Sequence, residues 1–342
     1  MVAVDRRIWL AGLAWFLASP TWAASGAWDL DCLIQQLDQS KPGTTVETLR
    51  QRCHTQPPQA TSSPTETDHS RKQPPSTDTK LAKRLAEEEQ QKQDRFSLQS
   101  HHPNYLMVAG YNHAGTSNTA GLTEGSESLD DVEVEIQLSV KIPLGDNLLG
   151  LNDHLYVGYT NRSFWQAYNQ SLSSPFRETN HEPEIWIGFE NRWDLLGWRN
   201  RMIDLGLSHQ SNGRSEPYSR SWNRVYLRAV FEKGNSAMTI KPWLRLPDSR
   251  NQDDNPDITT YMGHGEVRFM TNQDNHQLSL MGRNNLRLSG ENKGAIELGY
   301  SYPIHRNLNG YVKWFYGYGE SLIDYNVKSN RLSFGVQLGG WL

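Results

Sequence analysis

The sequence predicts an all-β protein: an antiparallel transmembrane β-barrel of about twelve strands, preceded by a signal peptide and a partly disordered N-terminal extension. Three observations lead there. An apolar export segment opens the chain, strict period-two alternation fills its last two-thirds, and no later stretch offers the roughly 18 uninterrupted apolar residues of a helical span. Without such a helix, an exported chain either stays soluble or crosses a membrane as a closed barrel. The mean hydropathy of −0.70 does not exclude the second course, because alternating strands dilute the apolar signal.

The export segment occupies residues 1–24. Arg6 and Arg7 supply a positive n-region, IWLAGLAWFLA (8–18) is too short to span a bilayer, and TWAA (21–24) offers small residues for cleavage after Ala23 or Ala24. An N-terminal extension, 25–101, follows. It holds both cysteines, Cys32 and Cys53, which either pair in an oxidising periplasm or remain as two thiols. Residues 54–79 are rich in Pro, Ser, Thr and Gln with almost nothing to bury, as a disordered linker requires. KLAKRLAEEEQQKQDRF (80–96) has good helix formers and few apolar residues, so it reads as a short solvated helix.

From 102 to 342 the texture is that of a barrel. VEVEIQLSVKI (132–142) puts Val132, Val134, Ile136, Leu138, Val140 and Ile142 on one face, with Glu133, Glu135, Gln137, Ser139 and Lys141 on the other. RLSFGVQLGGWL repeats the pattern at the C-terminus. Comparable strands are expected near 104–112, 154–168, 183–193, 202–212, 222–232, 236–246, 260–271, 276–286, 293–303 and 309–320, with polar or Gly/Asn/Asp-rich turns between them. Aromatics near strand ends (Trp165, Trp186, Trp193, Trp198, Trp243 and Trp314) suit interfacial girdles. A soluble sandwich would show the same periodicity; the export segment and the aromatic C-terminal strand favour the barrel. The net charge of −4, with no basic block, argues against nucleic acid as a partner.

One strand breaks its own pattern. In IDLGLSHQSNGRS (203–215), Ile203, Leu205 and Leu207 share a face that would meet lipid, and His209 and Ser211 continue it. In the next strand Val225, Leu227, Ala229 and Phe231 define the apolar parity, and Asn223 shares it. A hydroxyl, an imidazole and an amide on one face suit a nucleophile, its base and an orienting group. By spacing alone a blander reading is favoured, in which His209 and Ser211 mark where the strand leaves the membrane. HxS is a weak motif, and no G-x-S-x-G elbow is present.

HQSNGRSEPYSRSWNR (209–224), SSPFRETNHEP (173–183), DDNPDITTYMG (253–263) and YGYGESLIDYN (316–326) together resemble bacterial outer-membrane phospholipase A, in that family's order. The resemblance covers about 103–342 and leaves 24–102 outside it. It implies a twelve-stranded barrel in the bacterial cell outer membrane that hydrolyses acyl esters of phospholipids and lysophospholipids with Ca2+, as a homodimer. The implied catalytic residues are Ser211, His209 and Asn223. The implied calcium ligands are the carbonyl of Arg214 and the hydroxyl of Ser219, with Ser173 of the partner subunit. A second calcium site, within one chain, falls on Glu216 and Asp254. An interface glutamine of the family falls on Asn161, a shorter amide, and Trp165 matches an interface aromatic. The rival reading is a non-enzymatic pore or uptake channel.

Overall fold

In a computed structural model of the chain, residues 79–91, 96–123, 128–248 and 253–338 are described. The export segment, the two cysteines and the linker up to residue 78 lie outside the described residues, as do the last four residues. The elements run α1 (Lys80–Gln91), β1 (Gln99–Ser100), β2 (Asn104–Asn112), β3 (Val132–Asp146), β4 (Asp153–Trp165), β5 (Phe176–Glu190), β6 (Asp194–Leu195), β7 (Trp198–Ser211) and β8 (Ser221–Lys233). They continue with β9 (Ser236–Leu246), α2 (Ile258–Met262), β10 (Gly265–Gln273), β11 (His276–Asn284), β12 (Gly294–His305), β13 (Leu308–Tyr318) and β14 (Lys328–Leu338).

Leaving aside the two-residue pieces β1 and β6, the remaining twelve strands pair antiparallel with their neighbours, and β14 pairs with β2 to close the ring. Closure removes the open sheet edge that a bilayer would not tolerate. No helix among the described residues is long and apolar enough to cross a membrane.

The alternation decides which side faces where. Leu138, Leu205, Leu207, Leu227, Leu244, Leu278 and Phe334 are exposed on the outer wall. Their neighbours on the opposite parity are charged or polar and buried: Glu133, Glu135, Asp204, Arg224, Lys241, Lys313 and Arg331. Those inward charges pair across the lumen. Glu135 Oε1 accepts from Arg162 Nε at 2.7 Å and Lys313 Nζ at 2.5 Å. Glu133 holds Arg177 at 2.6 Å and Arg331 at 2.9 Å, and Lys241 reaches Glu184 at 3.0 Å. The interior is thus filled by an ion network. Gly206 fits this packing, because a Cβ there would stand 2.3 Å from the Tyr226 ring, which lies across it in the lumen.

Short turns such as 147–152, 234–235 and 274–275 lie at one rim, and the long connections 113–131, 166–175, 212–220, 247–264 and 319–327 at the other. Helix α1 docks at the short-turn rim rather than lying in solvent. Leu81 and Ala82 are buried, Glu88 Oε2 accepts from Lys141 Nζ at 2.7 Å, and Arg84 donates to the Ser100 carbonyl at 3.0 Å.

Two further expectations change. The segment read as a strand from residue 260 begins with the turn of helix α2, and β10 starts only at Gly265. Trp186 and Trp243 are 2% and 4% exposed and belong to the lumenal cluster with Tyr156, Trp222 and Tyr226, so they form no girdle. Trp193 and Trp198 do stand at the short-turn rim, the first of them exposed.

Candidate active site

Strands β7 and β8 form one hairpin, and its register sets the geometry near the long-loop rim. His209 is the cross-strand partner of Asn223, and Ser211 pairs with Ser221 on one side and with His181 of β5 on the other. Directly opposed residues share a face, so His209 and Asn223 meet side by side. His209 Nδ1 lies 2.8 Å from Asn223 Oδ1. His209 is exposed in series with Leu205 and Leu207, while Asp204, Gly206 and Ser208 are buried. Ser211 follows two residues later on the same parity and is partly exposed; among the described residues no hydrogen bond reaches its hydroxyl.

The loop after β7 is latched from within. Asn212, buried, donates from Nδ2 to the Tyr218 carbonyl at 2.9 Å and accepts from the Arg220 N–H at 2.9 Å. Gly213 takes φ +65°, a left-handed conformation that glycine adopts without strain. Arg214 then reaches inward, donating to the Ala120 carbonyl at 3.0 Å and the Arg177 carbonyl at 2.6 Å. That side chain ties its own connection to 113–131 and to the start of β5.

Of the residues expected to meet calcium, Ser219 and Asp254 come into contact, with the hydroxyl donating to Asp254 Oδ2 at 2.5 Å. The resemblance had assigned them to separate sites. Glu216 is exposed and makes no ion pair among the described residues. Ser173 lies in the 166–175 connection at φ +58°. Both groups in the Ser219–Asp254 contact are oxygen donors, the kind a hard cation such as calcium takes.

The neighbouring loops are fixed independently. Tyr325 donates to Asp257, which precedes α2, joining the 319–327 and 247–264 connections. Burial, and then that carboxylate, push the Tyr325 phenol above its ordinary range.

Several contacts were not anticipated. Asn223 Nδ2 faces Asp248 Oδ1 at 3.3 Å. The signal was available: Leu244, Leu246 and Asp248 alternate just as Leu205, Leu207 and His209 do. Asn161 turns its amide toward His181 Nδ1 at 3.5 Å and accepts from Ser163 at 3.1 Å, while Tyr159 takes the same His181 nitrogen at 2.6 Å. Trp165 stacks on Phe176 with centroids 5.4 Å apart. In the lumen, His101, His102 and Glu184 bring their ligand atoms within 4.8 Å of one another. The Glu184 oxygens are already met by Lys241 and by His101 at 2.9 Å, so the cluster reads as part of the ion network.

Fold and contact define a class: a closed membrane-type β-barrel with an imidazole–amide pair at an exposed position of one hairpin. Residues 81–338 match the family model described as phospholipase A1. Phospholipase A1 of Escherichia coli (strain K12) is 40% identical over 251 residues, 73% of this chain and 84% of that protein. The putative phospholipase A1 of Neisseria meningitidis serogroup B is 41% identical over 252 residues, 70% of this chain and 65% of that one. Among solved structures, outer membrane phospholipase A from Escherichia coli superposes with a TM-score of 0.67 at 39% identity, over 72% of this chain and all of that one. The Salmonella typhi outer membrane phospholipase dimer with bound calcium gives 0.66 at 40% identity, over 72% and 93%. The chain belongs to the phospholipase A1 family.

Proposed function

We propose that this chain is a calcium-dependent acyl hydrolase of the outer membrane, acting on phospholipids and lysophospholipids through Ser211, His209 and Asn223, and active as a homodimer. The observation that carries the reading is the 2.8 Å contact between His209 Nδ1 and Asn223 Oδ1, on the face that also bears Leu205 and Leu207. A site on that face has the bilayer as its neighbour. Family membership supplies the reaction class, and the calcium-bound dimer of the Salmonella typhi protein supports calcium and pairing.

In this mechanism Ser211 Oγ attacks the ester carbonyl carbon while His209 Nε2 takes the hydroxyl proton. Asn223 accepts the hydrogen bond from Nδ1–H and so holds the tautomer that leaves Nε2 basic. His209 then returns the proton to the leaving alcohol. In the second half-reaction it activates the water that releases the fatty acid from Ser211. The Ser211 backbone N–H is the donor for the oxyanion. Calcium would be held by the Arg214 carbonyl and Ser219, with Ser173 of the partner subunit, and a second ion by Glu216 and Asp254. When bound, the ion supplies positive charge to the developing oxyanion.

The pore reading has the lumen against it, because ion pairs such as Lys313–Glu135 and Arg331–Glu133 cross the space a channel needs. Hydrolysis of micellar phospholipid, assayed with calcium, with chelator and with Ser211→Ala, tests the proposal. Turnover that survives either the chelator or the Ser211 change refutes it.

A further inference from the structure

Asn223 has two partners, and together they fix which way round its amide sits. Its Oδ1 faces His209 Nδ1 at 2.8 Å, and its Nδ2 faces Asp248 Oδ1 at 3.3 Å. An ionised carboxylate accepts hydrogen bonds and donates none, so the atom it meets is the amide nitrogen. The amide oxygen is left for the imidazole. Turned over, the amide would present its NH2 to Nδ1, which would then have to accept. The ring proton would move to Nε2, and that nitrogen would have no lone pair for the Ser211 proton.

Asp248 arrives there through the pleat of β9. Leu244 and Leu246 are exposed on the outer wall, Leu246 is the register partner of Asn223, and Asp248 is next on that parity. Arg245 secures the turn. Its Nη2 lies 3.7 Å from Asp248 Oδ2 and 2.5 Å from Asp253 Oδ1, and its Nη1 donates to the carbonyls of Asn255 and Pro256 at 3.2 and 3.1 Å. The guanidinium takes one carboxylate oxygen of Asp248, and the other is turned to Asn223.

We infer that Asp248 is a positioning residue of the relay, holding the Asn223 amide in the orientation His209 needs and adding the negative charge a neutral amide lacks. It acts through Asn223 and rests on the reading of Ser211, His209 and Asn223 given above. A carboxylate one residue removed from the ring favours the imidazolium that forms while His209 carries the proton.

The test compares Asp248→Ala, Asp248→Asn and Ser211→Ala in the full chain, in detergent micelles with saturating calcium. Asp248→Ala is expected to lower kcat about tenfold, with KM unchanged, and to move the acid limb of the kcat/KM profile to lower pH. Asp248→Asn, whose side-chain oxygen can still accept from Asn223, is expected to recover most of kcat while keeping the displaced acid limb. An unchanged kcat in Asp248→Ala overturns the inference, and so does an acid limb that stays in place in either Asp248 variant. Activity persisting in Ser211→Ala would instead remove the relay reading on which it stands.

Discussion

His209 and Asn223 are partners in the β7–β8 ladder, and the 2.8 Å between Nδ1 and Oδ1 joins them on the outer wall. Backbone pairing fixes that contact, so removing the amide leaves the ring in place without its orienting acceptor. Asn223→Ala is expected to lower kcat on the order of 10- to 100-fold with KM little changed, whereas His209→Ala, which under the proposed mechanism removes the base, is expected to fall further. Steady-state hydrolysis of a micellar phospholipid by the two variants checks the ranking. Equal losses would mean that the amide contributes more than orientation.

The contact between Ser219 and Asp254 leads to a prediction about calcium. An oxygen donor that loses its charge weakens a hard-cation site more than one that loses only a methylene. Asp254→Asn should raise the calcium concentration for half-maximal hydrolysis about tenfold and leave kcat at saturating calcium near that of the parent. A calcium titration of hydrolysis reads this directly. An unmoved midpoint would exclude Asp254 from the ion's environment.

Parity made much of this legible in the sequence. The outward series Leu205, Leu207, His209 and the inward series Asp204, Gly206, Ser208 are local properties of one strand, and burial follows them. What failed had different causes. Trp186 has the residue type of a girdle, but its parity, opposite to the exposed Ile185, turns it into the lumen. Helix α1 has few apolar residues, and a barrel rim ready to cover Leu81 and Ala82 cannot be read from residues 80–96. Ile258–Met262 is too short for a helical period to show. Asp248 continues the alternation two residues beyond the end of β9 at Leu246, where a loop aspartate alone has no direction.

The lumenal network is expected to carry much of the barrel's stability. Glu133 is fully buried and serves two guanidiniums, with Arg177 Nε at 2.6 Å and Arg331 Nη2 at 2.9 Å. Both arginines are themselves only 2% exposed. Glu133→Gln removes the charge the two guanidiniums share and leaves Arg177 only Asp324 and Arg331 only Glu320, a change expected to cost about 3 kcal/mol. Heat-modifiable gel migration should show the variant barrel unfolding at a clearly lower temperature. An unchanged transition would mean that Asp324 and Glu320 suffice to balance the two arginines.

Docking of α1 should depend on pH through Glu88. Burial works to raise this carboxyl, but the Lys141 ammonium and the Arg84 guanidinium outweigh it and hold it below its ordinary 4.5. A carboxyl depressed in the folded state adds stability that is fully present above its unfolded value. That stability is lost as the pH falls through the folded one. At neutral pH the helix is therefore expected to stay on the rim, and to loosen only as the medium is acidified below about 4.5. Glu88→Gln imitates that protonation at pH 7: it leaves the Lys141 ammonium without its carboxylate at 2.7 Å and weakens the hold of Arg84 at 2.9 Å. Hydrogen exchange of residues 80–91 should then be faster in the variant at pH 7, while strands β3 and β9 keep their protection. Exchange in the helix that matches the parent would show that Leu81 and Ala82 suffice to hold it.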